Sequence, residues 1–100
     1  MTLPAEQLNA ALAQTARAIE RDAPGAIRMA REILAAAPGH PRARLYLGAA
    51  LRRNGEAAEA EAVLGPLAQE QPDLALVWFE LGLLRGSRGE TAAAIAALTR

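Results

Sequence analysis

Two stretches of the chain repeat one another at an offset of 34 residues, and that offset narrows the fold more than any single residue does. Leu47-Gly48 recurs as Leu81-Gly82, Gly55-Glu56 as Gly89-Glu90, Ala60 with Leu64 as Ala94 with Leu98, and Pro38 as Pro72. A fixed period of this length in helix-forming sequence means a unit that cannot bury its apolar face alone. Successive units must then stack and share one continuous core. The 100 residues hold roughly three such units, the size of one small domain.

Apolar residues make up 52% of the chain, but half of them are alanine, and Tyr46, Trp78 and Phe79 are the only aromatics. Alanine favours helix and lets helices approach closely, so the composition points to packed helices rather than a sheet. Six helical segments follow from periodicity and punctuation. The first covers about Ala5 to Glu20; the second starts after an N-cap at Asp22, tolerates Pro24 in its first turn, and stops before Pro38-Gly39. The third spans about Pro41 to Arg53 and ends at Asn54-Gly55, residues that accept left-handed backbone angles. The fourth covers about Ala57 to Glu70, and Gly65-Pro66 inside it predicts a kink near residues 62–66, or an early end and restart. The fifth runs from Leu74 to about Ser87, and the sixth begins near Glu90. Short connections make neighbouring helices antiparallel.

Charge and composition exclude several classes of function. Eleven arginines balance eleven acids, and lysine is absent, a bias in keeping with a GC-rich, bacterial genome. With no net positive field, bulk attraction to nucleic acid is not expected. Cysteine is absent, which excludes disulfides and thiolate chemistry. No apolar run approaches the roughly 20 residues of a membrane span, and the N-terminus lacks the pattern of a secretory signal. A cytoplasmic location is the expectation.

The segment Pro41 to Asp73 resembles a tetratricopeptide repeat, and Ala75 to Arg100 resembles a second one cut short. The family's pattern is met by Leu47, Gly48, Leu51, Gly55, Ala60, Leu64 and Pro72 in one repeat, and by Trp78, Leu81, Gly82, Gly89, Ala94 and Leu98 in the next. Gly48 and Gly82 would let the paired helix sit close, with Ala60 and Ala94 as the small surfaces opposite. The resemblance implies an all-α, right-handed superhelical array of antiparallel helix pairs forming a single domain over residues 1–100. Within it, 5–40 is a divergent first repeat or helical cap, 41–74 a repeat, and 75–100 a truncated repeat. Two departures stand out: Arg44 occupies the register of Trp78, and Arg85 that of Leu51. In residues 7–40, Ala13-Gln14 replaces the Leu-Gly pair.

In the family the first helix of each pair lines a concave groove. The resemblance places Leu8, Ala11 and Thr15, then Arg42, Leu45, Ala49 and Arg52, then Leu76, Phe79 and Leu83 along it. The Lys and Asn residues with which some members clamp a terminal carboxylate are missing there. A groove of Leu45, Leu76, Phe79 and Leu83 beside Arg42 and Arg52 suits an apolar helix or extended segment with an acidic rim. Trp78 is expected in the core, Tyr46 is open to either role, and Arg52-Arg53 complement the dipole at a helix C-terminus.

Nothing in the chain assembles a catalytic or cofactor site. His40 is the sole histidine and has no ligand partners at suitable spacing. Glu56, Glu59 and Glu61 are explained by a helix N-terminus. Gly82 and Gly86 form no phosphate loop, and Ser87 has no base near it in sequence. The expectation is a non-catalytic scaffold for a protein or peptide partner, with no cofactor, no metal, no nucleic acid and no membrane. Two alternatives stand beside it. Leu47-Gly48-Ala49-Ala50-Leu51-Arg52-Arg53 is similar in texture to repeats that precede bacterial sulfotransferase-like domains, so the chain would be the accessory N-terminal region of a larger enzyme. Alternatively, an uncapped last helix, with Ile95 turned from Ala93, Ala94, Ala97 and Leu98, would be covered by a second copy in a homodimer.

Overall fold

Capping chemistry sets the helix boundaries close to where periodicity predicts them. The computed structural model describes residues 4–87, and the sixth segment, with Gly89, Ala94 and Leu98, lies outside them. The helices are α1 (Ala5–Arg21), α2 (Ala23–Ala36), α3 (Pro41–Arg53), α4 (Ala57–Glu70) and α5 (Ala75–Ser87). No strand occurs among the described residues.

Asp22 closes α1 and opens α2, its carboxylate accepting from the Gly25 N–H at 3.1 Å with Pro24 in the first turn, as expected. His40 has a similar task in α3: Nδ1 accepts from the Ala43 N–H at 3.3 Å, just ahead of Pro41. Of the Asn54-Gly55 pair only the glycine adopts the left-handed conformation, at φ 80°, while Asn54 stays at φ −87°. Gly55 N–H then bonds the Arg52 carbonyl at 3.1 Å and Glu56 N–H the Leu51 carbonyl at 2.9 Å, satisfying two terminal carbonyls of α3.

Pro66 does not break α4, which runs unbroken from Ala57 to Glu70. The expected early end and restart is not found. Proline deprives the Ala62 carbonyl of its helical donor, but Ala62 and Pro66 are both exposed, so that carbonyl is not buried without a partner.

One core runs through the repeats. Ala26, Ile27 and Ala30 from α2 join Leu47, Ala50 and Leu51 from α3, Ala60, Leu64 and Leu67 from α4, and Val77, Trp78, Leu81 and Leu84 from α5. Helix α3 is the hub, packing on each of the other four helices. The α3–α4 approach depends on Gly48: a Cβ there would fall within the Leu64 side chain. Gly82, its equivalent in α5, is also buried. Trp78 is buried as expected, and its indole N–H donates to the Pro72 carbonyl at 3.0 Å.

The two arginines that depart from the repeat pattern both clasp α4. Arg44 donates from Nη1 and Nη2 to Glu70 Oε1 and Oε2 at 2.9 and 3.0 Å. Arg85 reaches Glu61 from Nε and Nη2 at 3.3 and 3.1 Å. Arg31 of α2 adds a third contact, to Glu59. Glu59 and Glu61, read from sequence as complements to a helix N-terminus, therefore also tie α4 to α2 and α5.

Replacing Gly48 with alanine is expected to destabilise the fold by about 1–3 kcal/mol in urea unfolding, the usual cost of overpacking. In a Leu64→Ala background the same change should cost little, whereas additive losses would mean that the two residues do not meet. The hydrogen bond from Arg44 holds the Glu70 carboxyl below the ordinary glutamate range. A carboxyl depressed in the folded state stabilises above its unfolded value, and that contribution is lost as pH falls through the folded one. Between about pH 5 and 2, Glu70→Gln is thus expected to flatten the acid-side loss of stability seen in thermal melts; parallel curves would mean the pair contributes nothing.

Candidate functional site

Helices α1, α3 and α5 lie along one side of the molecule and enclose a groove of about 280 Å³. Helix α3 supplies its floor through Leu45, Tyr46 and Ala49, spaced so that all three face the same way, and Arg52 and Arg53 sit one turn further on. Helix α1 contributes Ala16, Ile19 and Glu20 to one wall; α5 contributes Leu76 and Glu80 to the other.

The two walls carry ion pairs of opposite character. On the α5 side, Arg52 Nε donates to Glu80 Oε1 at 2.7 Å, with the side chains only 20% and 16% exposed. This pair is shielded, short and satisfied, and it fixes α5 against α3. On the α1 side, Arg53 stands 3.8 Å from Glu20, and the side chains are 40% and 78% exposed. At that separation and exposure the attraction is weak and screened by salt. Arg53 is therefore the guanidinium in the groove that an incoming acid can reach.

The residues placed in the groove by resemblance divide into groups. Leu45, Ala49, Arg52 and Leu76 come together in it. Arg42, Phe79 and Leu83 are exposed and do not line this cavity, although Phe79 and Leu83 share a face of α5 with Leu76 and Glu80. On α1, Thr15 is buried with its hydroxyl donating to the Ala11 carbonyl at 2.7 Å, and Leu8 and Ala11 pack against the cluster of Leu12, Ile33 and Ala43. Helix α1 presents Ala16, Ile19 and Glu20 instead, one position along from what the 34-residue register predicts at Thr15. The substitution of Ala13-Gln14 for Leu-Gly was the signal that this register weakens there. Tyr46, half-buried, proves to be both core neighbour and groove floor.

No three His, Cys, Asp or Glu side chains among the described residues are placed to hold a metal ion, and His40 is engaged as a helix cap. No described helix is long and apolar enough to cross a membrane.

The family model described as tetratricopeptide repeat matches residues 17–81, well over half of the chain. That match reaches the family and not the narrower sulfotransferase-associated texture. No curated protein and no solved structure matches significantly.

The contrast between the two walls is measurable by double-mutant cycles in chemical denaturation. Arg52→Ala with Glu80→Ala is expected to give a coupling of about 1 kcal/mol, between the ranges for exposed and shielded pairs. The Arg53→Ala and Glu20→Ala cycle should give a coupling within error of zero. Equal couplings would remove the distinction drawn between the walls.

Proposed function

Since the chain belongs to the tetratricopeptide repeat family, we propose that it is a non-catalytic scaffold that holds a peptide or short helix of a protein partner in the groove between α1, α3 and α5. Repeats of this family generally mediate protein–protein interaction, and the site offers shape and charge rather than reactive groups. The floor of Leu45, Tyr46 and Ala49, bordered by Ile19 and Leu76, takes an apolar side chain. Arg53 adds selectivity for an acidic residue beside it, because a carboxylate on the ligand competes on favourable terms with the distant Glu20. Arg52 is already neutralised by Glu80 and acts as a fixed wall.

The observation that carries this reading is the pairing of an apolar floor with one closed and one loosely held ion pair at its edges. It favours an apolar segment with an acidic flank.

A displayed library of random peptides, selected against the immobilised chain, tests it. Enriched peptides are expected to combine a large apolar residue with Asp or Glu within one helical turn. Leu76→Glu, at a residue 58% exposed, and Arg53→Glu should each weaken their binding at least about tenfold while circular dichroism stays unchanged. Selected peptides that bind both variants as tightly as the parent would show that the groove is not the site.

A further inference from the structure

Taking the groove as the binding site, we infer that it receives a helix rather than an extended peptide, and that this helix lies antiparallel to α3 with an acidic residue in its first turn against Arg53. A segment laid on an apolar surface must find partners for its own backbone N–H and C=O groups. An extended chain takes them from its host, either from a sheet edge or from polar side chains spaced along the floor. The lining here supplies neither. The side chains of Ala16, Ile19, Leu45, Ala49 and Leu76 hold no polar atom, and no Asn, Gln, Ser or Thr stands among the lining residues. Arg52 and Glu80 are already joined to each other at 2.7 Å. That leaves the Tyr46 phenol and the loosely held pair of Arg53 and Glu20, too few groups for a run of backbone amides. A helix bonds its own backbone internally and brings only side chains to such a floor.

The direction follows from how the three host helices run. Helices α1, α3 and α5 alternate with α2 and α4 in antiparallel hairpins, so all three point the same way. Glu20 is the next-to-last residue of α1 and Arg53 the last of α3, so they meet at the carbonyl ends of both helices. The partial negative charge of those ends favours the N–H end of an incoming helix. A carboxylate in the first turn of that helix is stabilised by its own dipole and comes within reach of Arg53. Turned the other way, the ligand would set its carbonyl end against two others and carry its acid in the last turn, where its own dipole opposes it. There is room for such a ligand. Helices α1 and α5 flank α3 without touching each other among the described residues. At the usual spacing of about 8–10 Å between packed axes, they leave the face of α3 open to a further helix. The cavity of about 280 Å³ then takes the apolar side chains of one face of that helix.

The probes are library-selected peptides whose binding to the full chain is weakened by Leu76→Glu and Arg53→Glu. Proline is placed in the middle of such a peptide, at a position where alanine leaves affinity unchanged. It is expected to weaken binding at least about tenfold, since it removes a helical bond and clashes with the preceding turn. A lactam bridge between two such neutral positions four residues apart should tighten binding about threefold or more, by ordering the helix beforehand. Because the chain has no cysteine, Asn54→Cys places a single thiol just past Arg53, at an exposed position. It should trap a peptide with a cysteine at its N-terminus at least about tenfold faster than the same peptide with one at its C-terminus. A groove-dependent peptide that keeps its affinity with proline and gains nothing from the bridge overturns the helical ligand and leaves the groove standing. Equal trapping from both ends, or faster trapping from the C-terminus, overturns the direction. Selected peptides that ignore both Leu76→Glu and Arg53→Glu remove the groove itself, and the helix with it.

Discussion

The contact of Gly48 with Leu64 is the constraint on which the other features of the stack rest. Without a Cβ at that point, α4 settles directly onto α3, and the core from α2 to α5 closes around Leu51, Leu64, Leu67 and Leu81. Because α3 touches every other described helix, any displacement of α4 from it propagates to both neighbouring hairpins. Close-packed interiors leave little slack to absorb such a shift.

The arginines do a second kind of joining. Arg44 and Arg85 replace large apolar residues of the repeat pattern, yet neither is left as a misplaced charge. Each uses its stem for packing and its planar guanidinium to grip a glutamate of α4. An all-arginine basic set suits this task, since a forked donor can bond both oxygens of one carboxylate and lysine cannot. The interhelical pairs lie nearer the surface than the leucine core, so they set register more than they add stability.

The same chemistry divides the surface into regions of different use. Where Arg52 and Glu80 close on each other, the groove gains a rigid neutral wall; where Arg53 and Glu20 stand apart, it gains an accessible charge. Because Glu80 and Arg85 are drawn toward α3 and α4, the outer side of α5 is left entirely uncharged.

The number, order and near-exact ends of the helices from Ala5 to Ser87 are legible in the residues themselves, because capping and helix periodicity act over a few positions. The burial of Trp78 and the close approach at Gly48 were legible too, since the 34-residue repeat ties each to a packing position. Tertiary structure alone decided which arginine meets which glutamate, because partners such as Arg31 and Glu59 or Arg52 and Glu80 are 28 residues apart in sequence. It likewise decided that Ala16 and Ile19, not Thr15, line the cavity beside α3. Local spacing determines which residues share a helix face. What that face meets depends on how each helix turns against its neighbours, and that orientation is set by the summed packing of the whole stack.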